Sequence, residues 1–158
     1  AWVGSLLAKS QNLSTTLNLQ IMDTPNSFLF LCLGNICRSP MAHYLAKDIL
    51  GDDVFCDSAG LYGQIGRPAT ADARKVMRLE FGSDMSKHIA KHLNEINLNE
   101  FDVIICLDEE VYEHLVNKVP APKLLNWHVE DPYYYDYNVY VQCAYEIRNK
   151  LLTLKPNK

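Results

Sequence analysis

The chain has 158 residues, 48% of them hydrophobic and 22% charged, with a formal net charge of −4. That is enough chain for one domain with a real core, and the balance of a globular protein. An acidic chain has no excess of Lys and Arg to neutralise phosphates, which argues against general nucleic-acid binding, and no 18-residue apolar run is present to cross a membrane.

Residues 1–25 lack an initiator Met and the basic start of a signal peptide, and they are rich in Ser, Thr, Asn and Gln. They are expected to form a flexible leader or extension, with the domain occupying 26–158. Phe28-Leu29-Phe30-Leu31 predicts a buried strand over 27–32. Met41, Ala42, Leu45, Ala46 and Ile49 fall at helical spacing, so a helix is expected over 40–50, with Pro40 in its first turn and Gly51 ending it. A second strand is expected over 54–58, and a helix over 70–81 stopped by Gly82. A shorter helical piece is expected over 87–93. Residues 101–107 form the clearest buried strand, followed by a helix to 118 capped by Asp108. A short strand over 123–127, an acidic and tyrosine-rich loop over 128–136 and a helix over 137–154 complete the chain. Strands alternating with helices imply an α/β domain, a parallel sheet covered on both faces. In such sheets ligands bind beyond the carboxyl ends of the strands.

Where the first strand hands over to the first helix lies Cys32-Leu33-Gly34-Asn35-Ile36-Cys37-Arg38-Ser39-Pro40. A helix N-terminus has unpaired amides and a positive dipole end, so it welcomes an anion. That field, with Arg38 beside it, should favour the thiolate of Cys32 and make it a nucleophile. Asn35 tolerates the left-handed backbone that a tight nest of amides requires. The five cysteines, Cys32, Cys37, Cys56, Cys106 and Cys143, fit no zinc spacing, and no metal or cofactor is implied. Cys56, Cys106 and Cys143 read as small core residues, and the chain as reduced and cytoplasmic.

These residues resemble a known family. The loop from Cys32 to Pro40 is similar to the signature of the low-molecular-weight protein tyrosine phosphatases, and Asp131-Pro132-Tyr133-Tyr134 resembles their general-acid loop. Asp57-Ser58-Ala59-Gly60, Ile65-Gly66-Arg67-Pro68, Met85-Ser86-Lys87-His88 and Cys106-Leu107-Asp108-Glu109 match further landmarks in order. The resemblance implies a three-layer, flavodoxin-like α/β domain with strand order 2-1-3-4. It implies metal-independent hydrolysis of phosphotyrosine proteins or small aryl phosphates through a phosphocysteine on Cys32. The amides of Leu33, Gly34, Asn35, Ile36, Cys37 and Arg38 and the Arg38 fork would hold the phosphate, and Asp131 would act as acid and then base. Asn35, Ser39, Ser58 and His88 would brace the loop, Ser39 by a hydrogen bond to the Cys32 sulfur. Leu33, Tyr62, Tyr133 and Tyr134 would wall a slot for the substrate ring. The protein is expected to act as a monomer or in weak self-association.

Departures from the family accompany the matches. Gly63 falls where an aromatic slot residue is common, and Tyr62 is expected to substitute for it. His43 stands where a carboxylate is common and Phe81 where a histidine is, so that supporting contact is expected to be lost. Asp57 is expected to pair with His88. Cys37 reads either as a small loop filler or as a resolving thiol for an oxidised Cys32. Two rival functions remain beside the phosphatase: an arsenate reductase, which needs further relay cysteines, and a phosphotyrosine-binding module without turnover.

Overall fold

The computed structural model describes residues 24–155, so the expected leader lies almost wholly outside the described residues. The alternating strands and helices assemble into a four-stranded parallel sheet. In chain order the strands are β1 (Ser27–Cys32), β2 (Phe55–Gly60), β3 (Val103–Cys106) and β4 (Leu124–Asn126), in spatial order β2-β1-β3-β4. The expected order 2-1-3-4 is the order found. All six positions of β1 are buried. Side chains alternate along a strand, so Phe28 and Phe30 enter one core and Leu29 and Leu31 the other. The first core lies under α1 (Arg38–Leu50), α2 (Ala71–Phe81) and α4 (Tyr137–Leu152), which pack on one another. The second lies under α3 (Glu109–Leu115), through Val111 and Leu115. Two covered faces explain the near-continuous apolar runs of β1 and β3.

Helix ends follow local chemistry. Thr70 Oγ1 accepts from Ala73 N at 3.3 Å to cap α2, and Gly82 closes it in the left-handed region at φ 65°. Asp136 caps α4 by accepting from Val139 N. Two expectations need correction. No α-helix forms over 87–93: Pro68 bridges Ile89, Gly60 bridges His92, and Leu93–Glu95 forms a 3₁₀ helix. The backbone groups a helix would need are used elsewhere. Lys91 O accepts from Gly60 N at 3.0 Å, Ala90 N donates to Arg67 O at 2.8 Å and Lys91 N donates to Asn35 Oδ1 at 2.9 Å. Helix α3 also ends earlier than expected, at Leu115.

The carboxyl end of β1 is tightly wedged. A Cβ on Gly60 would lie 2.7 Å from Leu33 O and 2.9 Å from Asn35 N, so only glycine lets β2 pass beneath the loop that follows Cys32. Gly60→Ala is therefore expected to destabilise the fold by about 1–3 kcal/mol and to displace the loop. Urea denaturation beside an activity assay checks it, and a fully stable, fully active variant would contradict the packing described.

Candidate active site

Residues 33–37 form a loop between β1 and α1, and its carbonyls are all engaged. Cys32 O accepts from Leu61 N (3.0 Å), Leu33 O from Tyr62 N (2.9 Å), Gly34 O from Gln64 N (3.3 Å), Ile36 O from Thr70 N (2.9 Å) and Cys37 O from Met41 N (3.2 Å). Asn35 O lies 2.8 Å from His88 Nε2. A carbonyl can only accept, so that ring nitrogen carries a proton. Among the described residues no amide from 33 to 38 donates to a protein acceptor. Asn35 sits at φ 59°, in the left-handed region that a curled nest uses. The loop thus offers a row of free N–H groups at the start of the 13-residue helix α1.

Arg38 is 2% exposed, and its guanidinium is held from three directions. Nη1 and Nη2 each meet Asp108 at 2.7 Å, as a two-pronged pair. Nη1 also donates to Val129 O at 2.8 Å, and Asp131 Oδ2 lies 3.3 Å from Nη2. Burial works against the charge. The Cys32 sulfur and the Asp108 and Asp131 carboxylates outweigh it and hold Arg38 above its ordinary value. Nε is buried and, among the described residues, has no hydrogen-bond partner. A buried donor of this strength left unpaired costs free energy, so Nε–H stands ready for an acceptor brought in from solvent.

Cys32 Sγ lies 3.0 Å from Ser39 Oγ. Asn35 Nδ2 donates to Ser39 Oγ (2.8 Å) and to Ser58 Oγ (3.0 Å). The structure therefore brings Asn35, Ser39, Ser58 and His88 together behind the loop. Asp57 does not pair with His88 as expected. Its carboxylate takes Lys91 Nζ at 2.7 Å, a full cation that a histidine at neutral pH does not match. Burial instead pushes His88 down, despite its bond to Asn35. All five cysteines are free thiols. Cys37 Sγ faces Tyr140 OH (3.3 Å) and Thr70 Oγ1 (3.6 Å), and burial pushes its thiol up to about 11.

A cavity of about 260 Å³ opens over these groups, with Cys32, Ile36, Cys37 and Arg38 among its lining residues. Leu33, Tyr62, Tyr133 and Tyr134, the four expected slot residues, line it too, and so does Asp131. Asp131 Oδ1 accepts from Tyr133 N at 3.1 Å, which steadies the carboxylate at the mouth. Tyr133 and Tyr134 meet edge to face at 4.7 Å, and Tyr134 is 89% exposed. Tyr62 is held by a hydrogen bond to Glu110. A Cβ on Gly63 would lie 2.8 Å from His92 Cα, so this position cannot carry a ring, and Tyr62 beside it supplies one.

Three residues of the site escaped sequence reasoning. Asp108 was expected to cap α3, but it makes no cap bond because its carboxylate is drawn to Arg38. The available signal was that a buried Arg needs a carboxylate, and Asp108 ends the neighbouring strand. Gln64 lines the cavity against Gly34. Lys91 supplies its backbone N–H to Asn35 and its ammonium to Asp57, roles its type does not advertise.

Comparison with known proteins agrees with this geometry. The sequence profile described as low molecular weight phosphotyrosine protein phosphatase matches residues 27–157. The low molecular weight protein-tyrosine-phosphatase Ptp of Acinetobacter johnsonii is 38% identical over 118 residues, covering 70% of this chain and 82% of the relative. The crystal structure of the low molecular weight protein tyrosine phosphatase from T. tengcongensis superposes with a TM-score of 0.73 at 34% identity, covering 81% of this chain and 95% of that one. Arsenate reductase 2 of Staphylococcus haemolyticus is 29% identical over 126 residues, covering 80% of this chain and 93% of the relative. The fold and site set Cys32 and Arg38 in one cavity at the carboxyl edge of a flavodoxin-like sheet. The chain belongs to the low molecular weight protein tyrosine phosphatases, and with them to the enzymes that hydrolyse phosphotyrosine.

Removing the Asp108 carboxylate would strip a buried guanidinium of its two-pronged partner. Asp108→Ala is expected to cost about 3 kcal/mol of stability and most of the activity, measured by urea denaturation and by turnover. A second expectation concerns pH. Burial pushes His43 down to about 4, against 6.5 for a free histidine, and lowers His88 as well. Between about 6.5 and 4 the unfolded chain takes up a proton that folded His43 refuses. Its contribution is thus complete above 6.5 and shrinks as pH falls through that window, by up to about 3 kcal/mol. Thermal midpoints at pH 7 and 4.5 should fall less for His43→Asn than for the parent protein.

Proposed function

We propose that this chain hydrolyses phosphotyrosine and related aryl phosphates in two steps through a phosphocysteine on Cys32. The observation that carries the reading is the buried, unpartnered Arg38 Nε beside a row of undonated amides, next to a sulfur. In the first step the Cys32 sulfur attacks phosphorus and the bond from phosphorus to the aryl oxygen breaks. The amides of residues 33–38 and Arg38 hold the three non-bridging oxygens, where charge is best met by donors fixed in advance. Asp131 gives its proton to the departing phenol oxygen. In the second step water attacks phosphorus, the bond to sulfur breaks, and Asp131 takes the water's proton. Ser39 Oγ–H, 3.0 Å from Sγ, steadies the departing thiolate. The walls from Leu33, Tyr62, Tyr133 and Tyr134 suit a flat ring and favour phosphotyrosine over the shorter phosphoserine.

The likeness to arsenate reductases raises a second reading. Reduction of arsenate needs an accessible relay thiol. Cys106 is fully buried in β3, and burial pushes it up to about 12. Neither feature suits a relay, so the phosphatase is favoured. Five free thiols fit a reducing cytoplasm as the place of action. Among the described residues no helix is long and apolar enough to cross a membrane.

Hydrolysis of para-nitrophenyl phosphate tests the reading. Turnover is expected at mildly acidic pH and should vanish in Cys32→Ser. Asp131→Ala should lose about 10²-fold or more, most with phenols of high pKa. A wild-type protein that binds phosphotyrosine without turning it over would instead be a binding module, and arsenate turnover with a thiol donor would restore the reductase.

A further inference from the structure

The position where the family often carries a carboxylate holds His43, on the inner side of α1. Its Nδ1 lies 3.3 Å from Ser58 Oγ. The direction of every hydrogen in that neighbourhood follows from one backbone amide. Lys91 N–H can only donate, and it lies 2.9 Å from Asn35 Oδ1, so the side-chain oxygen of Asn35 faces Lys91 and its NH₂ faces the serines. Both hydrogens of that NH₂ are then spent, one on Ser39 Oγ and one on Ser58 Oγ. Each serine accepts from Asn35 and must turn its own hydrogen outward. Ser39 can point at the Cys32 sulfur, 3.0 Å away, or weakly at Ala59 O at 3.5 Å. Ser58 is 1% exposed, and among the described residues its remaining neighbour with a free acceptor is His43 Nδ1.

We propose that His43 is a positioning residue for the nucleophile, with Nδ1 as the acceptor that terminates a hydrogen-bond chain running through Ser58, Asn35 and Ser39 to the Cys32 sulfur. This rests on the phosphatase reading for its effect on turnover, but not for its effect on the thiol. Without an acceptor at Nδ1, the Ser58 hydrogen is stranded in a buried site. It then competes with the Asn35 NH₂ for the serine oxygens, and Asn35 loses the orientation that keeps Ser39 O–H on the sulfur. A charged imidazole would fail equally, because Nδ1–H would donate into a hydroxyl that has nowhere to send its own hydrogen. The surroundings keep the ring neutral. Burial acts first, and Lys47 on the same helix with His88 and Lys91 from the crossing segment oppose its charge, against Asp57 on β2. The Tyr44 ring lies 5.1 Å from the imidazole, tilted at 46° to it.

The substitutions His43→Asn, His43→Gln and His43→Leu separate the roles. Asparagine can set an oxygen where Nδ1 stands. Glutamine is polar but sets its oxygen one bond further out, and leucine has none. Two readouts are taken on the whole chain: kcat and KM on para-nitrophenyl phosphate, and the rate of Cys32 alkylation by iodoacetate across pH. His43→Leu and His43→Gln are expected to lose about fivefold in kcat with KM little changed, and to shift the alkylation profile. His43→Asn should stay within about twofold of the parent protein on both counts. In a Ser58→Ala background His43→Leu should add nothing further. If His43→Leu does not fold, His43→Gln carries the same expectation. Unchanged kcat and alkylation in Leu and Gln, or an Asn variant as impaired as they are, overturns the proposal. Failure of the parent protein to turn over phosphate would overturn the phosphatase reading instead, and the alkylation profiles would still decide the role of His43.

Discussion

A guanidinium with 2% exposure must be compensated, and the way this one is compensated organises the molecule. Two carboxylate oxygens of Asp108 take both terminal nitrogens of Arg38 at 2.7 Å, and Val129 O takes Nη1 again. Those contacts consume the fork that an isolated arginine would offer to a phosphate. What they leave is Nε and the outer side of Nη2, in one fixed direction. The pair thus turns a flexible side chain into part of a rigid wall, so little ordering remains to be done when an anion arrives. Asp108 costs the cradle some positive charge and repays it in orientation.

The sheet supplies the same economy on a larger scale. Every strand delivers something at its carboxyl end: β1 gives Cys32, β2 leads through Gly60 to Tyr62 and Gln64, β3 leads to Asp108, and β4 runs on to Val129 and Asp131. This is the edge where parallel sheets bind ligands, because strand ends and helix starts meet there. Behind the loop the polar network has no apolar substitute. Asn35, Ser39, Ser58 and His88 are all buried, and each is paired. A satisfied buried network specifies one geometry, which a cradle of amides requires.

Most of the fold could be read from periodicity and punctuation. The apolar runs of β1 and β3 and the stop at Gly82 are local signals, and they fall where expected. Over 87–93 the helical composition is overridden by partners distant in sequence, Gly60, Arg67 and Asn35. Cys32 and Arg38, which share one short loop in the sequence, meet in one cavity of the candidate site. Asp108 was not legible, because a residue that suits a helix cap gives no sign that a charge 70 positions away has claimed it. Lys91 and Gly60 act through backbone and through the lack of a side chain, which pattern alone does not expose.

The central claim is that an anion completes a cradle already built, with Arg38 still fastened to Asp108. A crystal of the protein grown with orthovanadate tests it most directly. The account predicts vanadium in line with Cys32 Sγ, its oxygens within hydrogen-bond distance of Arg38 Nε and the amides of residues 33–38, and the Arg38–Asp108 pair intact. Vanadate bound elsewhere, or Arg38 released from Asp108 to reach it, would contradict the account.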